Sequence, residues 1–256
     1  MMKRLAAMLA VSAIAVCGAF ADQDYQVMLK SVDSLVSFMD TDFSAEYKIE
    51  KFKPGEGTSV TNMVIFRRDK DEKYLILILD PPSDKGKGYL KIGPNMWLYD
   101  PEARRFDFTS SKERFQNSNA RNSDFTRSTY ASDYDLAYAT SEQLGKFRCS
   151  VLDLKANNDS VSFPRSKIWV SDDNLVRKIE DYSLSGQLMR TRAIPSYQKI
   201  GERYVPIMLL IIDDLRGKTI DGKFQNETTK ITITKPSLTK LPDSIYTQSY
   251  LEKVSK

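Results

Sequence analysis

Residues Gly88 to Phe108, GYLKIGPNMWLYDPEARRFDF, hold short runs of alternating apolar residues joined by a Gly-Pro-Asn turn and stopped at Asp100-Pro101. Leu90, Ile92, Met96, Leu98, Phe106 and Phe108 recur at alternate positions, the period of strands with one buried face. Trp97 and Tyr99 put aromatic surface on the opposite side. Such strands fold into a sheet that must find apolar cover. Two other stretches sharpen that demand: Tyr74 to Leu79 (YLILIL) and Ile207 to Ile212 (IMLLII) are apolar throughout, so both faces of those strands want cover.

Strand patterns dominate the chain. A first series runs Phe43 to Lys53, Ser59 to Arg68 and Glu72 to Asp80, with turns at Pro54-Gly55-Glu56-Gly57 and Asp69-Lys70-Asp71. A second runs Lys146 to Lys155, Pro164 to Ser171, Leu175 to Tyr182, Gln187 to Tyr197, Arg203 to Asp213 and Thr228 to Lys235, with Gly186, Gly201 and Gly217 marking turns. Short strands separated by tight turns predict an antiparallel meander. Asp22 to Asp40 reads as an amphipathic helix, because Tyr25, Met28, Leu29, Val32, Leu35, Val36 and Met39 follow steps of three and four. Leu241-Pro242-Asp243-Ser244 predicts a short closing helix over 243–252.

Between the two series lies an insert, residues 110–144, rich in Ser and Asn but carrying Phe115, Phe125, Tyr130, Tyr134 and Tyr138. A segment of that length is either disordered or a functional lid, and the step of four from Tyr130 to Tyr138 predicts helix in part.

Lys3 and Arg4 precede an apolar run to Phe20, and Ala19-Phe20-Ala21 has the form of a signal-peptidase site. Residues 1–21 are thus expected to be a cleavable signal peptide, and residues 22–256 one domain. A lipidated Cys17 is disfavoured, since Val16 rather than a small residue precedes it. The mature chain then keeps one cysteine, Cys149, which predicts a buried apolar thiol and no intramolecular disulfide. The switch of apolar parity around it, from Phe147, Cys149 and Val151 to Leu152 and Leu154, predicts a bulge near residue 151.

The chain has no histidine, which removes the commonest general base and zinc ligand together. No catalytic residues, metal site or cofactor are expected. The acidic pair Asp172-Asp173, followed by Asn174, has hairpin-turn composition. Its 38 basic residues include Lys3 and Arg4, so the mature charge is nearly balanced against 34 acidic side chains, and no nucleic-acid partner is expected.

GYLKIG followed by NMWLYDP and two arginines, Ser123-Asp124-Phe125, and the LPDSIYTQSYLE ending together resemble the outer-membrane lipoprotein-sorting (LolA-like) family of bacterial periplasmic proteins. The resemblance implies a mainly β (α+β) fold: an incomplete antiparallel β-barrel of about eleven strands, with helices covering an apolar concave face. It implies a periplasmic, non-enzymatic carrier that takes acyl chains of lipoproteins or lipids from an inner-membrane release complex to an outer-membrane acceptor, acting as a monomer. The alternative is an envelope-stress sensor that binds lipidic ligands on the same half-barrel.

The cavity candidates are Tyr74, Ile76, Ile78, Leu90, Ile92, Met96 and Leu98, with Phe106, Phe108, Ile168, Val170, Met208 and Leu210. The lid candidates are Phe125, Tyr130, Tyr134 and Tyr138. For any one of them, a place in a filled core is the plain alternative. In family carriers an arginine on the sheet hydrogen-bonds the lid; Arg67, Arg68, Arg104 and Arg105 qualify here by residue type alone.

Overall fold

The computed structural model describes residues 17–256. The expected signal peptide, 1–21, lies largely outside them.

A first helix, α1 (Cys17–Leu35), precedes six strands: β1 (Phe43–Lys53), β2 (Gly57–Arg68), β3 (Lys73–Asp80), β4 (Gly88–Ile92), β5 (Asn95–Asp100) and β6 (Arg105–Phe108). After a crossing segment and one helical turn, α2 (Tyr130–Asp133), seven more follow: β7 (Tyr134–Leu144), β8 (Phe147–Ala156), β9 (Arg165–Ser171), β10 (Val176–Tyr182), β11 (Leu188–Ile200), β12 (Arg203–Ile220) and β13 (Lys223–Ser237). A short C-terminal helix, α3 (Gln248–Val254), ends the chain. All thirteen strands form one antiparallel sheet, in the order β6-β5-β4-β3-β2-β1-β13-β12-β11-β10-β9-β8-β7. The sheet is an open barrel, since β6 and β7 are its two edges.

That order explains the segment between the two strand series. The chain starts mid-sheet at β1, meanders to the edge β6, must reach the far edge β7, and meanders back until β13 pairs with β1 (Ile49 opposite Ile231). Residues 109–133 make that passage across the inner face. Phe115, Ala120 and Phe125 are buried there against Tyr47, Met63, Ile76 and Ile231. The predicted insert is therefore ordered crossing chain as far as α2, and its last third is strand. The step of four among the tyrosines gives helix only at Tyr130–Asp133; pairing with β8 along the whole of Tyr134–Leu144 overrides it.

The inner face carries two apolar clusters. One packs against the crossing segment; the other packs Leu152, Leu154, Ile168 and Val170 beneath Leu29 and Val32 of α1. On the outer face α3 drops Leu251 onto Leu75, Leu90 and Tyr99. Gly88 makes this approach feasible: a Cβ there would lie 2.5 Å from a Leu251 methyl. YLILIL in β3 thus has cover on both faces from Tyr74 to Ile78, with Leu79 exposed at its end. IMLLII in β12 does not: Ile211 is buried inside, whereas Leu210 and Ile212 are exposed on the outside.

Two expectations about turns change. No bulge interrupts β8 near residue 151; its pairing with β9 is continuous from Cys149 to Lys155, and both parities are apolar because both faces are covered. Cys149 is buried outside with Val151 and Trp169. Gly217 marks no turn either, but pairs with Asn226 inside a β12–β13 arm that reverses at Asp221-Gly222, both at positive φ.

The helix expected to reach Asp40 stops at Leu35. Arg67 and Asp69 of the β2–β3 hairpin capture the backbone beyond it: the Val36 carbonyl accepts from the Arg67 guanidinium at 3.4 Å and the Phe38 N–H donates to Asp69 at 2.8 Å. Phe38 then stacks on Phe43 with ring centroids 4.7 Å apart.

Candidate functional site

A cavity of about 700 Å³ lies between the inner face of the sheet, α1 and the crossing segment, within the range of small-molecule sites, about 300–1,000 Å³. Its apolar wall combines Val32, Phe38, Phe43, Tyr47, Tyr74 and Met96 with Ile179, Ile194, Leu209, Ile231 and Ile233. Burial pushes the Tyr47 hydroxyl up to about 12 and raises those of Tyr74, Tyr130 and Tyr197 as well, so these groups face the cavity as neutral phenols.

Of the residues singled out by sequence, Tyr74, Met96, Phe125, Tyr130 and Tyr134 line the cavity. Ile76, Ile78, Ile168 and Val170 are inward but lie in filled core, and Leu98 packs against that core. Leu90, Ile92 and Phe106 belong to the outer face with α3, and Phe108 is exposed on the edge strand. The reason is register. A two-residue turn at Gly93-Pro94 sets Leu90 opposite Trp97 and Tyr89 opposite Leu98, so parity inverts across the hairpin and Leu90 shares a face with Trp97, not Met96. The next hairpin repeats the effect, placing Phe106 with Tyr99 and Phe108 with Trp97. Met208 and Leu210 have the parity of the exposed Ile212, outside, and Tyr138 points to solvent from β7.

Charged residues form the polar wall, and of those on β10, β11 and the crossing segment only Asp124, within Ser123-Asp124-Phe125, was singled out by sequence. Arg190 and Arg192 of β11 face inward with Asp181 of β10 and Asp124 of the crossing segment, and all four line the cavity. Arg190 grips Asp124 with two N–H donors, at 2.7 and 2.8 Å, and Asp181 through Nε at 2.8 Å. Arg192 reaches both carboxylates at 3.1 Å, and Ser166 donates to Asp181 at 2.8 Å. Burial alone would raise the Asp124 pKa, but attraction to Arg190 and Arg192 outweighs it and holds the carboxyl at about 2.

The crossing segment has further anchors. Arg114 pairs with Asp213 of β12 at 2.6 Å, the Asn119 N–H donates to Thr229 of β13 at 3.1 Å, and Gln116 donates to the Tyr89 hydroxyl at 3.0 Å. At its end Asp33 of α1 accepts from Ser128 and from the N–H groups of Tyr130 and Ala131, capping α2 from another helix.

Arg67 also faces the cavity. It pairs with Asp69 at 2.6 Å, packs over Phe38 and Phe43, and donates to the Thr126 carbonyl of the crossing segment at 3.3 Å. Its neighbour Arg68 points to the other face, where it binds Asp42, Asp243 and the Leu241 carbonyl and fastens the C-terminal segment. Arg104 and Arg105 lie at the exposed β5–β6 turn.

Solved structures share this architecture. A LolA superfamily protein from Nitrosomonas europaea superposes with a TM-score of 0.73 at 23% identity, covering 88% of this chain and 98% of its own. A putative outer membrane lipoprotein-sorting protein domain from Vibrio parahaemolyticus gives 0.76 at 16% identity, covering 89% and 97%. A DUF1329 family protein from Desulfovibrio piger gives 0.76 at 19%, covering 91% and 98%. The fold is LolA-like. The described residues form thirteen strands where the sequence resemblance implied about eleven. Residues 70–253 of this LolA-like chain match a family described as "Uncharacterized protein", and the chain belongs to that family. No curated protein sequence matches it.

Proposed function

We propose that this protein is a non-enzymatic periplasmic carrier that encloses the acyl part of a lipid-modified protein or a related amphiphile and passes it from the inner to the outer membrane. The observation that carries the reading is the walled cavity of about 700 Å³, with an aromatic and aliphatic lining beneath a helix and a crossing segment. A carrier needs that enclosure. Exposing hydrocarbon to water costs about 0.8 kcal/mol per CH₂, so a chain of about sixteen carbons left bare costs on the order of 12 kcal/mol. The LolA-like fold supports the reading, as does the leader-like run of residues 1–21. No helix among the described residues is long and apolar enough to cross a membrane.

Arg67 fits the closing arginine of such a carrier, because one guanidinium on the cavity wall holds both Val36, just after α1, and Thr126 of the crossing segment.

Transfer of a pyrene-labelled acyl lipid from donor to acceptor vesicles tests the proposal. The expected result is a transfer rate that rises in proportion to protein concentration. A rate equal to spontaneous transfer at every concentration would refute it.

A further inference from the structure

Set apart from the crossing segment, the sheet carries a buried excess of positive charge. Arg190 and Arg192 alternate on β11, and among the described residues the carboxylate that the sheet itself supplies to them is Asp181 of β10. The second carboxylate, Asp124, comes from the crossing segment. Two guanidinium groups against one aspartate leave a charge that burial makes costly to leave bare. Asp124 fills that place in carboxylate-specific fashion, with two donors from Arg190 and one from Arg192. Arg121 adds a third guanidinium nearby, over the same Phe163 ring as Arg190, at 4.9 and 4.4 Å.

This anion-shaped place opens on the cavity, whose wall includes both arginines beside Tyr130 and Ile194. The wall also contains Lys73, Lys91, Arg127 and Glu72, and Glu72 pairs with Lys91 at 3.7 Å and Arg127 at 3.4 Å. Lys91 and Arg127 share that one carboxylate, while Lys73 pairs with Asp71 at 3.6 Å, and the surplus cation favours the approach of an anion.

We propose that the cavity takes amphiphiles with an anionic head, a carboxylate or a phosphate monoester, and that this head replaces Asp124 on Arg190 and Arg192 while the acyl chain lies along the apolar wall. The inference rests on the carrier reading and narrows its cargo, since an acylated protein terminus without an anionic head leaves the arginines to Asp124. Exchange of one carboxylate for another conserves the buried charge, and a phosphate monoester brings up to about one further negative charge to the same guanidinium groups. Asp124 moves out to water as the head moves in, so no unpaired guanidinium is created. Arg114 on Asp213 and Asn119 on Thr229 keep the first half of the crossing segment in place, and the displacement falls on residues after Asn122.

Isothermal titration of the mature chain with dodecanoate, dodecyl phosphate and uncharged dodecanoylglycerol tests this. At least one anion is expected to bind about tenfold or more tightly than the glyceride, a difference of about 1.4 kcal/mol. A preference for one anion over the other identifies the carboxylate or the phosphate as the natural head. Asp124→Asn, compared at equal folded concentration, should tighten anion binding about tenfold relative to the glyceride, and Arg192→Gln should abolish the preference. Saturable binding of all three probes with equal affinity would overturn the anion assignment and leave the carrier reading standing. No saturable binding of any probe would defeat both. Unchanged anion affinity in folded Asp124→Asn would overturn the displacement of Asp124, and the comparison of heads on the unmodified chain decides the anion claim without any variant.

Discussion

Asp124 illustrates how a single side chain ties the crossing segment to the sheet. Its carboxyl sits at about 2, below the ordinary 3.8, because two arginines outweigh burial. A depressed carboxyl pKa adds stability that is complete above about pH 4 and is lost as the pH falls towards 2. Urea unfolding from pH 7 down to 2 should therefore show a steep loss of stability in that window, and Asp124→Asn should flatten it. At neutral pH the same substitution strands part of a buried ion pair and is expected to cost about 3–5 kcal/mol. An Asp124→Asn chain with the pH profile of the unmodified protein would contradict this role. The sequence contained these residues but not their pairing: Arg190 and Arg192 lie 66 and 68 positions from Asp124, and Arg-Thr-Arg alone does not tell which parity of β11 faces in.

At the scale of elements, the legible parts were those set by local periodicity. β1 matches its predicted bounds, and β8, β9 and β10 fall within one residue of theirs at each end, because turn residues and apolar alternation agree there. The phase of a strand was less legible. Met96 and Leu98 face in while Leu90 and Ile92 face out, since an even turn inverts parity, and the wholly apolar IMLLII carries no phase of its own. The end of α1 was hidden for a different reason, as Arg67 and Asp69 that stop it lie about thirty residues away. Gly88 gives an element-scale prediction. Gly88→Ala would force a Cβ against Leu251 and the Ile76 carbonyl, at 2.5 and 2.8 Å, and should cost about 1–3 kcal/mol by pushing α3 off the outer face. Faster proteolytic removal of the C-terminal segment is the expected signature; cleavage at the unmodified rate would contradict the packing of α3.

For the whole molecule, the open order of the sheet is what creates a site. A closed meander of thirteen strands would need no crossing chain, whereas an open one whose halves end at opposite edges must send residues 109–133 across its own interior. That passage fills one half of the barrel with Phe115, Ala120 and Phe125 and roofs the other, so the protein is part packed and part hollow. Sequence gave the sheet, the covering helix and the polar-aromatic character of the insert. It did not give the division between filled and empty space, which depends on how the two strand series close around the crossing segment. The central claim is that this space holds a single acyl amphiphile, and native mass spectrometry of residues 22–256 with increasing hexadecanoate tests it most directly. The account predicts one adduct that saturates at one per chain; a bare chain throughout, or a ladder of adducts without a plateau, would contradict it.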